Sequence, residues 1–372
     1  MRFKDDYSGF QEGARRLERA MSGLPDRVPV YAQLHEFAMA ELGVPTKEFY
    51  TRPEILVPGC LEIQERYGID VAFIDYDVYN IEAEALGQKV IFSDDHMPDV
   101  DRAAPLIRDW DDLAKIRTPD FDAEGRFPMI LELHTLFKKL TRVEPSLQFC
   151  GPFSLAANIR GIEQLVMDIY TAPDFARGLF EGLTEEVVGP WIEHQLKHFP
   201  DAASVGGSDA TASLPIVNLN ILEHWVVPYI LRLRELCGPK VYVPNWVGER
   251  YLNTPEKVNK MLDLKLQVCP GFVEGQDPDV EALGPALYKE YAEQHGIPLV
   301  LGVGAGFLAT ATVEEARDRV KRYIEVGRKN GRFALYLCNL GATTPPENVT
   351  AAIEAAREFG VYQENPGLFD LH

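Results

Sequence analysis

The chain has 372 residues, 46% hydrophobic and 25% charged, and carries a net charge of −20. Such acidity does not suit duplex nucleic acid or an anionic membrane, whose phosphates need clustered Lys and Arg. Five scattered cysteines without a C-x-x-C pair argue against a disulfide framework. The charged start Met-Arg-Phe-Lys-Asp-Asp lacks the apolar run of a signal peptide, no stretch reaches the ~20 apolar residues of a membrane span, and a cytoplasmic protein is expected.

In chain order, residues 1–27 predict an N-terminal helical segment. Apolar runs rich in β-branched and aromatic residues then predict strands at Val28–Leu34, Val71–Asp77, Leu147–Gly151, Ala202–Asp209, Lys240–Val247, Leu266–Val273, Pro298–Gly304 and Phe333–Leu340. Most are continuous rather than alternating, as in strands buried on both faces of a parallel sheet. Between them, Asp174–Phe199 and Glu314–Lys329 carry apolar residues at helical spacing. Thr254-Pro255 and Thr312-Val-Glu-Glu are N-cap signals, and Gly296 and Gly331 mark helix ends. The segment 78–146 is too long for one βα unit. It predicts a loop excursion with Lys89-Val-Ile-Phe-Ser, then two helices.

Eight alternating βα units predict a (β/α)8 TIM barrel, an α/β fold, read as one domain over 1–372 with the insertion at 78–146. The rival doubly wound sheet would open on a Gly-rich phosphate turn, and Leu34-His-Glu-Phe-Ala-Met is nothing like one. A barrel places chemistry at the C-terminal strand ends. Those ends read Gln33-Leu-His35-Glu36, Asp75-Tyr-Asp77-Val-Tyr79-Asn-Ile-Glu82, Cys150-Gly-Pro-Phe-Ser154, Asp209, Asn245-Trp246, Glu274-Gly-Gln276-Asp277 and Cys338-Asn339. Singly each has a structural explanation: Asp209 a helix cap, Trp246 core, Cys338 a small buried hydrophobe. Gathered at one mouth, buried carboxylates would have raised pKa values and could donate protons near neutrality.

Four motifs recur in a familiar order: Glu82-Ala-Glu-Ala-Leu-Gly87, Gly151-Pro-Phe-Ser-Leu155, Leu308-Ala-Thr-Ala-Thr-Val-Glu-Glu315 and Cys338-Asn-Leu-Gly-Ala-Thr-Thr-Pro-Pro-Glu-Asn348. Together they resemble the uroporphyrinogen decarboxylase superfamily over about residues 10–362, most of all its cobalamin-linked methyltransferases. The decarboxylases resemble one another in an Arg-rich segment after strand one, where this chain has Gln33-Leu-His-Glu-Phe-Ala. The coenzyme M methyltransferases carry a thiol-activating zinc on H-x-C and a distant Cys. Here Asn245-Trp-Val247 stands at H-x-C and only Cys338 matches, so zinc is not expected at that site.

The group resembled best takes a methyl group from an ether, often an aryl methyl ether, and passes it to cobalamin on a partner corrinoid protein. The resemblance thus implies an O-demethylase. Tyr76, Tyr79, Phe153, Asn245, Trp246 and Cys338 are candidates for the donor pocket. His35, Glu82, Asp209 and Glu274 are candidates for the acid. Cys338, His35 and Glu82 together leave a donor-assisting zinc open. Homo-oligomerisation stays open, and the competing classes are a cofactor-free lyase and a non-catalytic barrel.

Overall fold

Eight parallel strands, each followed by helix, form a (β/α)8 barrel in the computed structural model, which describes residues 2–93 and 96–362. Met1 and residues 363–372 of the predicted 1–372 unit, and Asp94 and Asp95 of the excursion, lie outside the described residues. The barrel strands are β1 Val30–Gln33, β2 Val71–Phe73, β3 Leu147–Cys150, β4 Val205–Ser208, β5 Val241–Tyr242, β6 Val273–Gln276, β7 Leu299–Val303 and β8 Phe333–Leu337. Backbone ladders join them as two arcs, β2-β1-β8-β7-β6 and β3-β4-β5. Side chains stitch the seam between β2 and β3: Gln148 Nε2 donates to the Ile74 carbonyl at 2.8 Å, and Tyr76 OH donates to the Gln148 carbonyl at 3.1 Å.

Seven predicted strands contain the observed ones. The sixth does not: Leu266–Val268 ends the helix Pro255–Val268, and the strand runs Val273–Gln276. A short apolar run is the same whether it finishes a helix facing the core or begins a strand, and Cys269-Pro-Gly271 is the actual break. The excursion also differs. After the short helix Ile81–Ala85 comes an antiparallel pair, Val90–Ile91 with Asp99–Val100, then one 3₁₀ turn, Asp111–Lys115, and one full helix, Phe127–Thr141. Predicted helix signals hold. Thr254 Oγ1 accepts from Lys257 N, Thr312 and Glu315 form a capping box, and Gly296 ends its helix at φ 64°. The run Pro173–His198 is helical throughout, with a π turn at Leu183–Val188.

The N-terminal helix, Phe10–Ser22, lies across the lower, N-terminal end of the barrel, where Leu17 and Met21 pack against a lumen cluster containing Val300, Ala334 and Tyr336. Asp70, at the start of β2, fixes it there. Its buried carboxylate takes Arg16 at 2.7 Å, Arg27 at 2.6 Å and the Val30 N–H at 2.9 Å. One anion thus ties the plugging helix, the entry to β1 and β2 together. All five cysteines are free, and no helix among the described residues is long and apolar enough to cross a membrane.

Asp70→Ala should destabilise the fold by about 3 kcal/mol, because it takes the carboxylate from Arg27 and the Val30 N–H at the barrel floor, while Arg16 keeps Glu12 and Asp26. Arg16 and Arg27 keep 11% and 18% exposure, which holds the cost at the lower end. Equilibrium urea denaturation checks it, and an unmoved midpoint would show that the helix is held by packing alone.

Candidate active site in the barrel lumen

Burial alternates along the strands in a telling way. In β1, Val30 and Ala32 are buried while Tyr31 and Gln33 are only half-buried. The same holds for Val71 and Phe73 of β2, Gly206 and Ser208 of β4, and Gln276 of β6. Period two assigns the half-buried set to one face. That face is the lumen, because Tyr31 OH reaches Glu274 Oε2 at 3.3 Å, three strands away along the arc. Barrel interiors are normally filled by packed side chains. Here solvent reaches inside, while β7 and β8 stay buried throughout.

Two polar groups line the strand ends. In the first, Glu274 is buried and accepts from Tyr31 OH and from Gln276 Nε2 at 2.5 Å. Burial raises its pKa above the usual carboxylate range, against the hydrogen bond from Gln276 and the charge of Lys265. Tyr31 stacks on Tyr336 with ring centroids 4.5 Å apart and planes 11° from parallel. Tyr336 OH donates to Gln33, whose Nε2 donates to Asp75 Oδ2 at 3.1 Å. His35 joins at the rim, with Nε2 3.0 Å from Asn339 Oδ1 and 3.6 Å from Asp75 Oδ2. An amide oxygen only accepts, so Nε2 carries the proton. Cys338 lies beside Gly302, where an added Cβ would come within 2.5 Å of Sγ. Burial pushes this thiol well above its ordinary value, so it stays a thiol.

The second group joins the ends of β2 to β5. Tyr79 OH accepts from Asn245 Nδ2 at 3.1 Å and from Ala210 N at 3.3 Å, while Asn245 Oδ1 accepts from Asp209 N at 3.0 Å. Asp209 does cap a helix, but the neighbouring one. Its Oδ1 accepts from Ser154 N at 2.7 Å, in the first turn of Pro152–Arg160. Gly151 is required there, since a Cβ would lie 2.3 Å from the Asp209 carboxyl carbon. Glu82 is wholly buried and accepts from Cys150 N at 2.9 Å, and one oxygen of each acid has no hydrogen-bond partner. Burial pushes both up to about 7.

Three predicted pocket residues sit in packing. Tyr76 stands edge-on to His134 of Phe127–Thr141 and bridges the β2–β3 seam. Phe153 stacks on Phe180 in the helix layer. Trp246 is fully buried, its indole N–H unpartnered. The structure therefore brings His35, Glu274 and Cys338 into one group and Tyr79, Asn245 and Asp209 into the other. Tyr31 and Tyr336 were not singled out, although counting back two residues from Gln33 and Cys338 finds both. His35, Asp77 and Asn339, at the ends of β1, β2 and β8, hold φ of 37°, 70° and 46°, a strained conformation that clusters at functional sites.

A zinc site of the thiol-activating kind is not met by these donors. Val247 has no ligand atom, Asn245 is committed to Tyr79 and Asp209, and Cys338 stands alone. Nor do Cys338, His35 and Glu82 converge, for the ligand-atom cluster found among the described residues lies elsewhere, at Asp122, His194 and His198.

Sequence and structure comparisons agree with this architecture. Residues 13–359 match the uroporphyrinogen decarboxylase (URO-D) family, and the chain belongs to it. Among curated proteins it is 25% identical over 236 residues to a methylated-thiol–coenzyme M methyltransferase of Methanosarcina mazei. That alignment spans 61% of each protein. A solved methyltransferase from Methanosarcina mazei shares the fold, with TM-score 0.73 and 19% identity over 96% of this chain and 99% of that one.

The buried carboxylates carry a pH signature. Glu82 is protonated in the fold at pH values where the unfolded chain, near 4.5, has ionised. Its contribution to stability is complete below 4.5 and is lost as pH climbs through about 7. Glu82→Gln cannot ionise, so its stability relative to the unaltered chain should rise by a few kcal/mol across that window and level off above it. Urea denaturation at stepped pH measures this; a difference independent of pH would mean that Glu82 titrates as an ordinary surface acid.

Proposed function

We infer that this protein is a methyltransferase that takes the methyl group of a methyl ether, aryl methyl ethers foremost, and passes it to the corrinoid of a partner protein. The observation that carries this is Glu274, a carboxyl that burial inclines toward its protonated form, set in a lumen that solvent enters. Removing a methyl group from an ether leaves an oxyanion, a poor leaving group unless an acid is at hand. Glu274 is that acid in our reading, with Tyr31 and Gln276 fixing its orientation. The stacked Tyr31–Tyr336 pair gives a flat face for an aromatic donor. His35 and Asn339 stand at the rim, where donor and corrinoid would meet.

Family membership alone also suggests decarboxylation of a polycarboxylate. The lumen group argues otherwise: Glu274, Asp75, two tyrosines, two glutamines and a histidine are acidic or neutral, and the buried cations Lys265 and Arg126 are already paired with Glu249 and with Asp77 and Glu84. The named relative favours a second donor class, methylated thiols. A departing thiolate is less basic than the phenoxide of an aryl ether, about 8.5 against about 10, and far less basic than an alkoxide, so it leans least on Glu274.

The test mixes the chain with a reduced corrinoid protein and a panel of aryl methyl ethers, methanol, methylamines and methylated thiols, following the corrinoid absorbance. Ether-dependent methylation is expected. Glu274→Gln should lower turnover with ethers roughly 100-fold while changing the Michaelis constant little. Turnover confined to methylated thiols and indifferent to Glu274→Gln would move the assignment to that class. Turnover of nothing in the panel, or decarboxylation of uroporphyrinogen in a separate assay, would overturn it.

A further inference from the structure

The spacing of ligand residues at the strand ends offers no H-x-x-x-H pair, but the chain does contain one away from them, His194-Gln-Leu-Lys-His198. It lies on the helix Gly189–His198, whose period stacks residues four apart on one face. Opposite it comes the stretch before Phe127–Thr141, which carries Asp122. One side-chain ligand atom from each of Asp122, His194 and His198 falls within 4.8 Å of the other two. From this the geometry points to a divalent transition-metal site of the zinc type, built from Asp122, His194 and His198, that clips the excursion to the outside of the barrel.

Three observations support it. His194 Nε2 is buried without a hydrogen-bond partner, yet lies 3.3 Å from Asp122 Oδ1. Two ligands each ~2.0–2.1 Å from a tetrahedral ion sit roughly 3.3 Å apart, so the spacing already suits a shared metal. His198 Nδ1 is bound to the His194 carbonyl at 3.0 Å, which leaves Nε2 as its ligand atom and fixes the tautomer as ligating histidines require. The frame is also rigid. Phe121, next to Asp122, is buried against Trp191 and Phe127, and its ring lies 5.2 Å from that of His194. A surface hollow of about 330 Å³ is lined by Asp122 and His194 and gives the ion a way in. Two imidazoles and a carboxylate suit zinc, nickel or copper, not calcium or magnesium.

The full chain, free of any histidine tag and stripped with chelator, is titrated with zinc alone by calorimetry and by thermal melting. One equivalent should bind and raise Tm. His198→Gln, at an exposed position, and Asp122→Asn should each weaken binding by at least roughly tenfold and abolish the Tm rise, with circular dichroism unchanged. No stoichiometric binding overturns the proposal. So does binding that survives both substitutions, or that is lost instead on Cys338→Ser, which would put the ion inside the barrel.

Discussion

Asp70 is the contact on which the rest of the architecture depends. A carboxylate buried at the barrel floor needs countercharge, and Arg16 of the N-terminal helix and Arg27 just before the first strand deliver it. The result is a cylinder whose N-terminal end is covered by Leu17 and Met21. Above that cover the lumen is polar and partly exposed to solvent, at Tyr31 and Gln33 among others. Glu274, Asp75, Gln33, Tyr31 and Tyr336 form a bonded chain whose cost of burial is met among themselves.

The motifs that mark the family serve the backbone more than the chemistry. Gly151 leaves room for the Asp209 carboxylate, which caps a neighbouring helix. Thr312 and Glu315 each accept from the other's backbone N–H at the start of one helix. Asn348, closing the last motif, donates to the carbonyls of Leu308 and Ala311 in the one before it. Such positions tolerate little change because a missing hydrogen bond or an added methyl cannot be absorbed in a close-packed interior. They identify the fold well and the reaction poorly, which is why family membership leaves the reaction to be argued from the lumen.

Much of the fold was legible because buried parallel strands announce themselves as continuous apolar runs. The sixth strand was not, since Leu266–Val268 meets the same hydrophobic demand from the end of a helix. At the site, Glu274, His35, Asp209 and Asn245 were legible from their place at strand ends. Their partners were not, because Tyr31 to Glu274 spans 243 residues and no local pattern encodes it. Phe153 and Tyr76 follow the same strand-end logic yet turn toward helices, a choice made by local backbone direction that residue type does not betray. The left-handed turns at His35, Asp77 and Asn339 were equally silent: Asp and Asn tolerate such conformations, but nothing in their names says where they do.

A closed floor also governs traffic. Whatever enters this lumen must leave by the opening through which it came, and a macromolecule seated over that opening stops both movements. On the proposed reading, the methyl donor and the corrinoid protein would therefore have to take turns. The small one would be loaded before the large one arrives, and the spent remnant would stay captive until the large one departs. Residence time at the rim, set by how tightly the partner holds, would then limit the pace of the cycle however fast the chemistry beneath it runs.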